Sequence, residues 1–208
     1  MKAFAYPKTK HVRSSDPGPF KSYKTYKPYL RDEFKGACVF CRVRDSMKRE
    51  SLFAVEHHLP QTLFPLLITE WTNLFYACQT CNGAKSNFVA SGPRKHIDFV
   101  PTPCSHVMFD HLRYRGATVV PHSATGEFVA ELLDLNEPSC LQYREFFQSI
   151  LDQAETALSE WNKTVADIEN ALNVAAPSLK DELAGDLLTA LAERDRAKEQ
   201  LEYITGPF

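Results

Sequence analysis

The chain has 208 residues, 44% of them hydrophobic, and carries 24 Lys+Arg against 26 Asp+Glu. That size and balance fit one globular domain with an appendage or two small domains, and no apolar run approaches the ~18 residues that a membrane span needs. The near-neutral total hides an asymmetry: residues 1–100 hold 16 Lys+Arg against 8 Asp+Glu, and residues 101–208 hold 8 against 18. A basic front half suits a polyanion such as nucleic acid, because each neutralised phosphate releases counterions.

The opening Met-Lys-Ala-Phe-Ala-Tyr-Pro-Lys is basic and broken by proline, without the apolar stretch of a signal peptide. A cytoplasmic location is therefore expected, where thiols stay reduced. Residues 1–35 read as a basic N-terminal arm. Its Tyr23, Tyr26 and Tyr29 are suited to pin it to the domain, and Tyr29–Phe34 to form a short helix leading toward Cys38. Between 36 and 95, Leu52–Val55 and Leu74–Ala77 are short apolar runs of strand type, the first ended by Pro60. A helix is expected from Cys81 through Asn87. From 96 to 137 the chain is broken by proline and then alternates. Met108-Phe109, Ala117–Val120 and Gly126–Leu133 are strand candidates there, with a turn over Ser123–Gly126. From 138 to 208, apolar residues from Leu141 through Leu172 recur at steps of three and four. Pro177-Ser178 interrupts them, and Leu183, Leu187, Leu191 and Leu201 continue the pattern, so the region reads as an acidic αα-hairpin.

Cys38-x-x-Cys41 and Cys78-x-x-Cys81 are two close thiol pairs with 36 residues between them. A CxxC turn lets two thiolates reach one ion, and zinc favours four such ligands in a tetrahedron. A closed sulfur shell leaves no open position for chemistry, so the zinc would be structural and would supply much of the folding energy of a small window. Cys104 and Cys140 have no partner at ligand spacing and read as small buried hydrophobes.

A structural zinc site does not by itself call for Glu56-His57-His58-Leu59-Pro60 at the end of a strand, for Asn73-Leu74 at the start of the next, or for Cys81-Asn82-Gly83-Ala84-Lys85 opening a helix. This ordered set resembles the HNH endonuclease family. The resemblance implies an α+β fold: a ββα-metal HNH nuclease core with a four-cysteine zinc site over 36–95, a small β extension over 96–137 packed on it, and the C-terminal αα-hairpin. It implies that His57 is the general base, with imidazole of the right strength to take a proton from water. Glu56 and Asn82 would hold a catalytic Mg²⁺ or Mn²⁺ through hard oxygen ligands. Asn73 would fix the His57 ring, and Lys85 and His58 would lie near the substrate. The acidic slot is more often Asp, so Glu56 is one methylene longer than the pattern. Neighbouring strand residues face opposite ways, so only one of His57 and His58 should face the metal, and the His-x-x-Pro spacing selects His57.

The stretch from Phe109 to Arg144 is similar to the tail of bacterial defence nucleases of the retron- and Septu-associated type, which often work beside an ATPase subunit. The expected function is therefore a metal-dependent HNH endonuclease hydrolysing phosphodiester bonds of DNA, as the effector of an anti-phage defence system. The alternatives are a non-catalytic zinc module that binds nucleic acid or a protein partner, and a CxxC thiol oxidoreductase, which lacks the usual βαβ context. The acidic helices would serve an ATPase or another defence subunit, join two copies of the chain, or complete the core.

Overall fold

The computed structural model describes residues 4–205, so the ends of the expected arm and hairpin, residues 1–3 and 206–208, lie outside the described residues. The described residues form two units, 4–145 and 146–205. The architecture is α+β with small sheets, a four-cysteine cluster and a C-terminal pair of helices. Among the described residues no helix is long and apolar enough to cross a membrane.

In the first unit the arm is part of the core. Phe4 and Tyr6 are buried, and the Tyr6 hydroxyl donates to the Phe40 carbonyl at 2.8 Å. Arg13 lies over the rings of Phe34, Trp71 and Phe75, where cation–π attraction adds to burial, and donates to the Leu74 carbonyl at 2.6 Å. A 3₁₀ turn, Tyr23–Tyr26, leads into helix α1, Lys27–Glu33, with Pro28 in its first turn where no amide partner is needed. Tyr26 is buried and stacks on Trp71, so the arm's aromatics do pin it down. Helix α1 ends in a Schellman-type closure: Lys35 N–H donates to the Asp32 carbonyl and Gly36 N–H to the Arg31 carbonyl. Gly36 has φ +64°, and a Cβ there would sit 2.7 Å from Asp45 Oδ1, so only glycine fits the turn. Asp45 is in turn held bidentately by Arg31 and accepts from the Tyr76 hydroxyl at 2.7 Å.

Strand β1, Phe53–His57, pairs antiparallel with β2, Leu74–Cys78, in the register Phe53↔Cys78 through His57↔Leu74. Every residue of β2 is buried, which is why it is a continuous apolar run with no alternation. Helix α2, Gln79–Lys85, follows at once, and the Cys78 Sγ caps it by accepting from Cys81 N–H.

The region 96–137 departs from expectation. Met108-Phe109 opens a short helix, α3 (Met108–His111), and the hairpin is β3 (Leu112–Arg115) with β4 (Thr118–Pro121). The Gly126–Leu133 run is helix α4, Ala124–Leu132, with Leu133 at its C-cap. Ser123 accepts from Gly126 N–H as an N-cap, so the expected turn is a helix start. The buried positions Thr125, Val129 and Leu133 are four apart, a helical face that outweighs the alternation.

Helix α5, Pro138–Val174, and helix α6, Pro177–Thr205, meet across two residues, at the Pro177 break. In the 146–205 unit Leu151, Ala154 and Ile204 form a buried cluster with Ile150 and Leu201 packed against it.

Candidate functional site

The four cysteines expected to hold zinc converge. The four Sγ atoms of Cys38, Cys41, Cys78 and Cys81 all lie within 4.8 Å of one another, and all four residues are buried. A tight turn presents the first pair: Cys38 N–H donates to Val43 O, Arg42 N–H donates to Cys38 O, and Arg42 takes φ +55°. Val39 N–H donates to Tyr76 O, which ties that turn to β2 and so to the second pair. Hydrogen bonds from Cys38, Cys41 and Cys81 hold the Cys78 thiol far below the ordinary range, while the neighbouring cysteines push Cys41 and Cys81 up. The donor set is the soft, dry, closed shell that zinc prefers, and it could hold a zinc ion. Cys104 and Cys140 stand outside it, half-buried.

On a different side of the strand pair lies a cleft of about 440 Å³ lined by Glu56, His57 and Asn82, together with Tyr23, Lys24, Lys27, Pro60, Gln61, Ser86 and Asn87. Thus β1 supplies Glu56 and His57, α2 supplies Asn82, and the arm supplies two lysines. His58 and Lys85 do not border this cleft. They line a separate cavity of about 430 Å³ with Thr102, Cys104 and His106. The expected opposition of His57 and His58 is therefore present in the structure.

His57 is 9% exposed. Its Nε2 lies 3.0 Å from the Ile68 carbonyl, which can only accept, so Nε2 carries the proton and Nδ1 keeps its lone pair. The ring meets Tyr23 edge-on, with centroids 4.8 Å apart. Burial lowers the His57 pKa, against the pull of the Ile68 hydrogen bond, and keeps the imidazole neutral near pH 7. Asn73 is not the ring's partner. Its amide accepts from Leu59 N–H at 2.8 Å and donates to Leu59 O at 3.0 Å and Leu67 O at 3.2 Å. It ties down the excursion between β1 and β2, one residue away from the Ile68 carbonyl that orients His57.

Glu56 is 2% exposed and Lys85 is 1% exposed; Lys85 Nζ lies 2.6 Å from Glu56 Oε1 and donates to His57 O at 3.0 Å. The ion pair is close enough to be a charge-assisted hydrogen bond. Burial pushes the Glu56 carboxyl up to about 7, and the charge of Lys85 opposes this only in part. Burial, Lys85 and His106 push His58 down to about 4. Lys85, expected beside a phosphate backbone, is thus an internal cation under the strand end. Sequence reasoning also missed Lys24, Lys27 and Tyr23 as parts of the cleft, and the Ile68 carbonyl as the partner of His57. The pairing of aromatic and lysine at steps of three in Tyr23-Lys24-Thr25-Tyr26-Lys27 was an available signal for the first three.

No protein-family model and no solved structure matches the chain. A 122-residue stretch is 29% identical to the Septu protein PtuB of Bacillus thuringiensis. The match takes in 56% of this chain and 45% of that protein, so the chain spans less than half the length of the curated relative it matches.

Proposed function

We propose that this protein is a metal-dependent endonuclease of HNH type that hydrolyses phosphodiester bonds of DNA, leaving 5′-phosphate and 3′-hydroxyl ends, within a Septu-like anti-phage defence system. What carries the reading is one cleft bordered by Glu56, His57 and Asn82, with the imidazole fixed so that Nδ1 is the free, neutral acceptor. In this reading His57 Nδ1 takes a proton from the attacking water, a role worth roughly 10²–10⁴-fold in rate. The Ile68 carbonyl holds the tautomer, and Asn73 holds the loop that carries Ile68. Glu56 and Asn82 offer hard oxygen donors. A divalent ion bound there, Mg²⁺ or Mn²⁺, would polarise the scissile phosphate and stabilise the departing oxygen. The four cysteines brace the strand pair and the helix that carry these groups. The likeness to a Septu protein supports the defence role and a partner subunit such as an ATPase.

The 2.6 Å contact of Lys85 with Glu56 favours the competing reading, a zinc module in which that pair is structural. Nicking of supercoiled plasmid with and without Mg²⁺ separates the two. The expected result is Mg²⁺-dependent nicking by the wild type and a loss of roughly 10²–10⁴-fold in His57→Ala, with zinc content and fold retained. Undiminished nicking by that variant would remove His57 as the base; no nicking by the wild type, alone or with its co-expressed gene neighbours, would leave the zinc module.

A further inference from the structure

We infer that Lys24 and Lys27 form a phosphate-binding wall of the cleft, so that the N-terminal arm grips the DNA strand presented to His57. This rests on the nuclease reading and names residues that the HNH-like motif does not contain.

The local geometry of the arm puts the two lysines together. In a 3₁₀ turn, side chains three apart eclipse one another and share a ridge. Tyr23 and Tyr26 make one ridge of the Tyr23–Tyr26 turn, and the next ridge carries Lys24 and Lys27. The aromatic ridge is committed inward: Tyr26 is 1% exposed on Trp71, and Tyr23 lies against the His57 ring. Both lysines border the cleft as a consequence.

The wall is held in place from several directions. The Tyr26 hydroxyl accepts from Phe20 N–H at 3.0 Å, and Trp71 Nε1–H donates to Ser15 O at 2.7 Å. Lys27 Nζ donates to Glu50 O at 3.0 Å, which fixes where its charge sits. Lys24 is exposed and forms no ion pair among the described residues. Cations already held on a packed element lose little freedom on binding.

The charge balance of the cleft then selects an anion. Its one acidic lining residue is Glu56, and Glu56 is buried against the cation of Lys85. Lys24 is therefore uncompensated within the cleft. Lys27 meets only the exposed Glu50 carboxylate, 3.7 Å away and outside the lining, where solvent screens the pair. Two cations three residues apart on a packed turn beside a candidate base suit the phosphates of a nucleic-acid backbone, whose contacts position a strand without reading its sequence.

The test measures binding apart from cutting. A short fluorescein-labelled DNA duplex is titrated by fluorescence anisotropy over a range of KCl, with every protein carrying His57→Ala so that the probe stays intact. Each phosphate contact contributes about 0.9 to the slope of log K against log salt on duplex DNA. Lys24→Gln should lower the slope by about 1 and Lys24→Gln/Lys27→Gln by about 2, with binding at low salt weakened roughly tenfold or more. Lys163→Gln, an exposed lysine of the other unit, should change neither. Zinc content and melting temperature are compared for each variant, and Lys24→Gln serves as the variant that breaks no tie.

Unchanged slopes in the lysine variants of a protein that binds the duplex would overturn the inference, and wild-type plasmid nicking in the same preparation would leave the nuclease reading standing. A protein that neither binds the duplex nor nicks plasmid would overturn both.

Discussion

Replacing Glu56 by Gln should flatten the fall in stability that the wild type shows between pH 5 and pH 8. The carboxyl is 2% exposed and its pKa is pushed up from 4.5 to about 7, because burial outweighs the attraction of Lys85. Between those two values the folded state holds a proton that the unfolded chain has released. The folded state is therefore stabilised by this group fully below about pH 4.5, and that stability is lost as pH rises through about 7. At about 1.4 kcal/mol per pKa unit, the shift corresponds to roughly 3 kcal/mol. Glutamine is neutral throughout and lacks the slope. Urea unfolding of both proteins from pH 5 to pH 8, with zinc present and no magnesium, gives the difference directly, and the pH dependence of zinc binding cancels because both proteins share it. The variant should gain on the wild type by up to about 3 kcal/mol across that range, on top of a pH-independent cost for leaving Lys85 without its carboxylate. A difference between the two proteins that stays constant from pH 5 to pH 8 would mean that the attraction of Lys85 offsets burial, against the balance assigned to this pair.

Four further outcomes are expected of the same structure. Cys78→Ser removes a zinc ligand and the cap of α2, so the variant should lose its stoichiometric zinc and unfold in the 4–145 unit, since structural zinc contributes about 10–16 kcal/mol of binding free energy in finger peptides. Metal analysis and circular dichroism read this. Asn73→Ala removes three hydrogen bonds to the β1–β2 excursion, at about 1 kcal/mol each. The expected loss is roughly 3 kcal/mol by urea unfolding, and a His57 ring no longer locked with Nε2 protonated should show by nitrogen NMR of the imidazole. Gly126→Ala places a Cβ 2.0 Å from the His111 carbonyl oxygen, which forces a backbone shift and should destabilise by about 1–3 kcal/mol or more. Gly185→Ala, with nothing within 4 Å, should instead stabilise α6 by about 0.5–1 kcal/mol.

Spacing and period carried most of what was legible in the chain. The four cysteines were readable because ligand spacing is a local constraint, and the last two helices because a 3.6-residue period over dozens of residues has no strand equivalent. The short run Gly126–Leu133 was not, because it satisfies both periods: Phe128 and Ala130 alternate, yet Val129 and Leu133 are four apart. The Ser123 cap settled it, and a serine before Ala-Thr-Gly serves a turn or a helix start equally well. The candidate site was legible only in part. Glu56, His57 and Asn82 come from the motif, but the partner of the His57 ring is a main-chain carbonyl, and the identity of residue 68 says nothing about where its carbonyl points. Lys85 at the end of a short helix reads as a solvent-facing cation, and only the fold shows that the strand end covers it.

The position of Lys85 also bears on why the pattern tolerates glutamate where aspartate is more usual. The Glu56 carboxylate is directed toward α2, while the His57 imidazole reaches the arm and the Ile68 carbonyl. Glu56 meets Lys85 on that side at 2.6 Å, and Lys85 also holds the His57 carbonyl, so one internal cation fixes both residues of the strand end. A shorter carboxylate at this position would reach less far toward Lys85 and leave a buried ammonium less well compensated, the costly outcome for a charge at 1% exposure. Length at position 56 thus has a physical reason internal to this chain. In the proposed site the same carboxylate must serve two cations: Lys85 while the cleft holds no ion, and a divalent ion when it does. Glu56→Asp should accordingly be less stable than the wild type by urea unfolding at pH 8, because it keeps the charge and loses the contact.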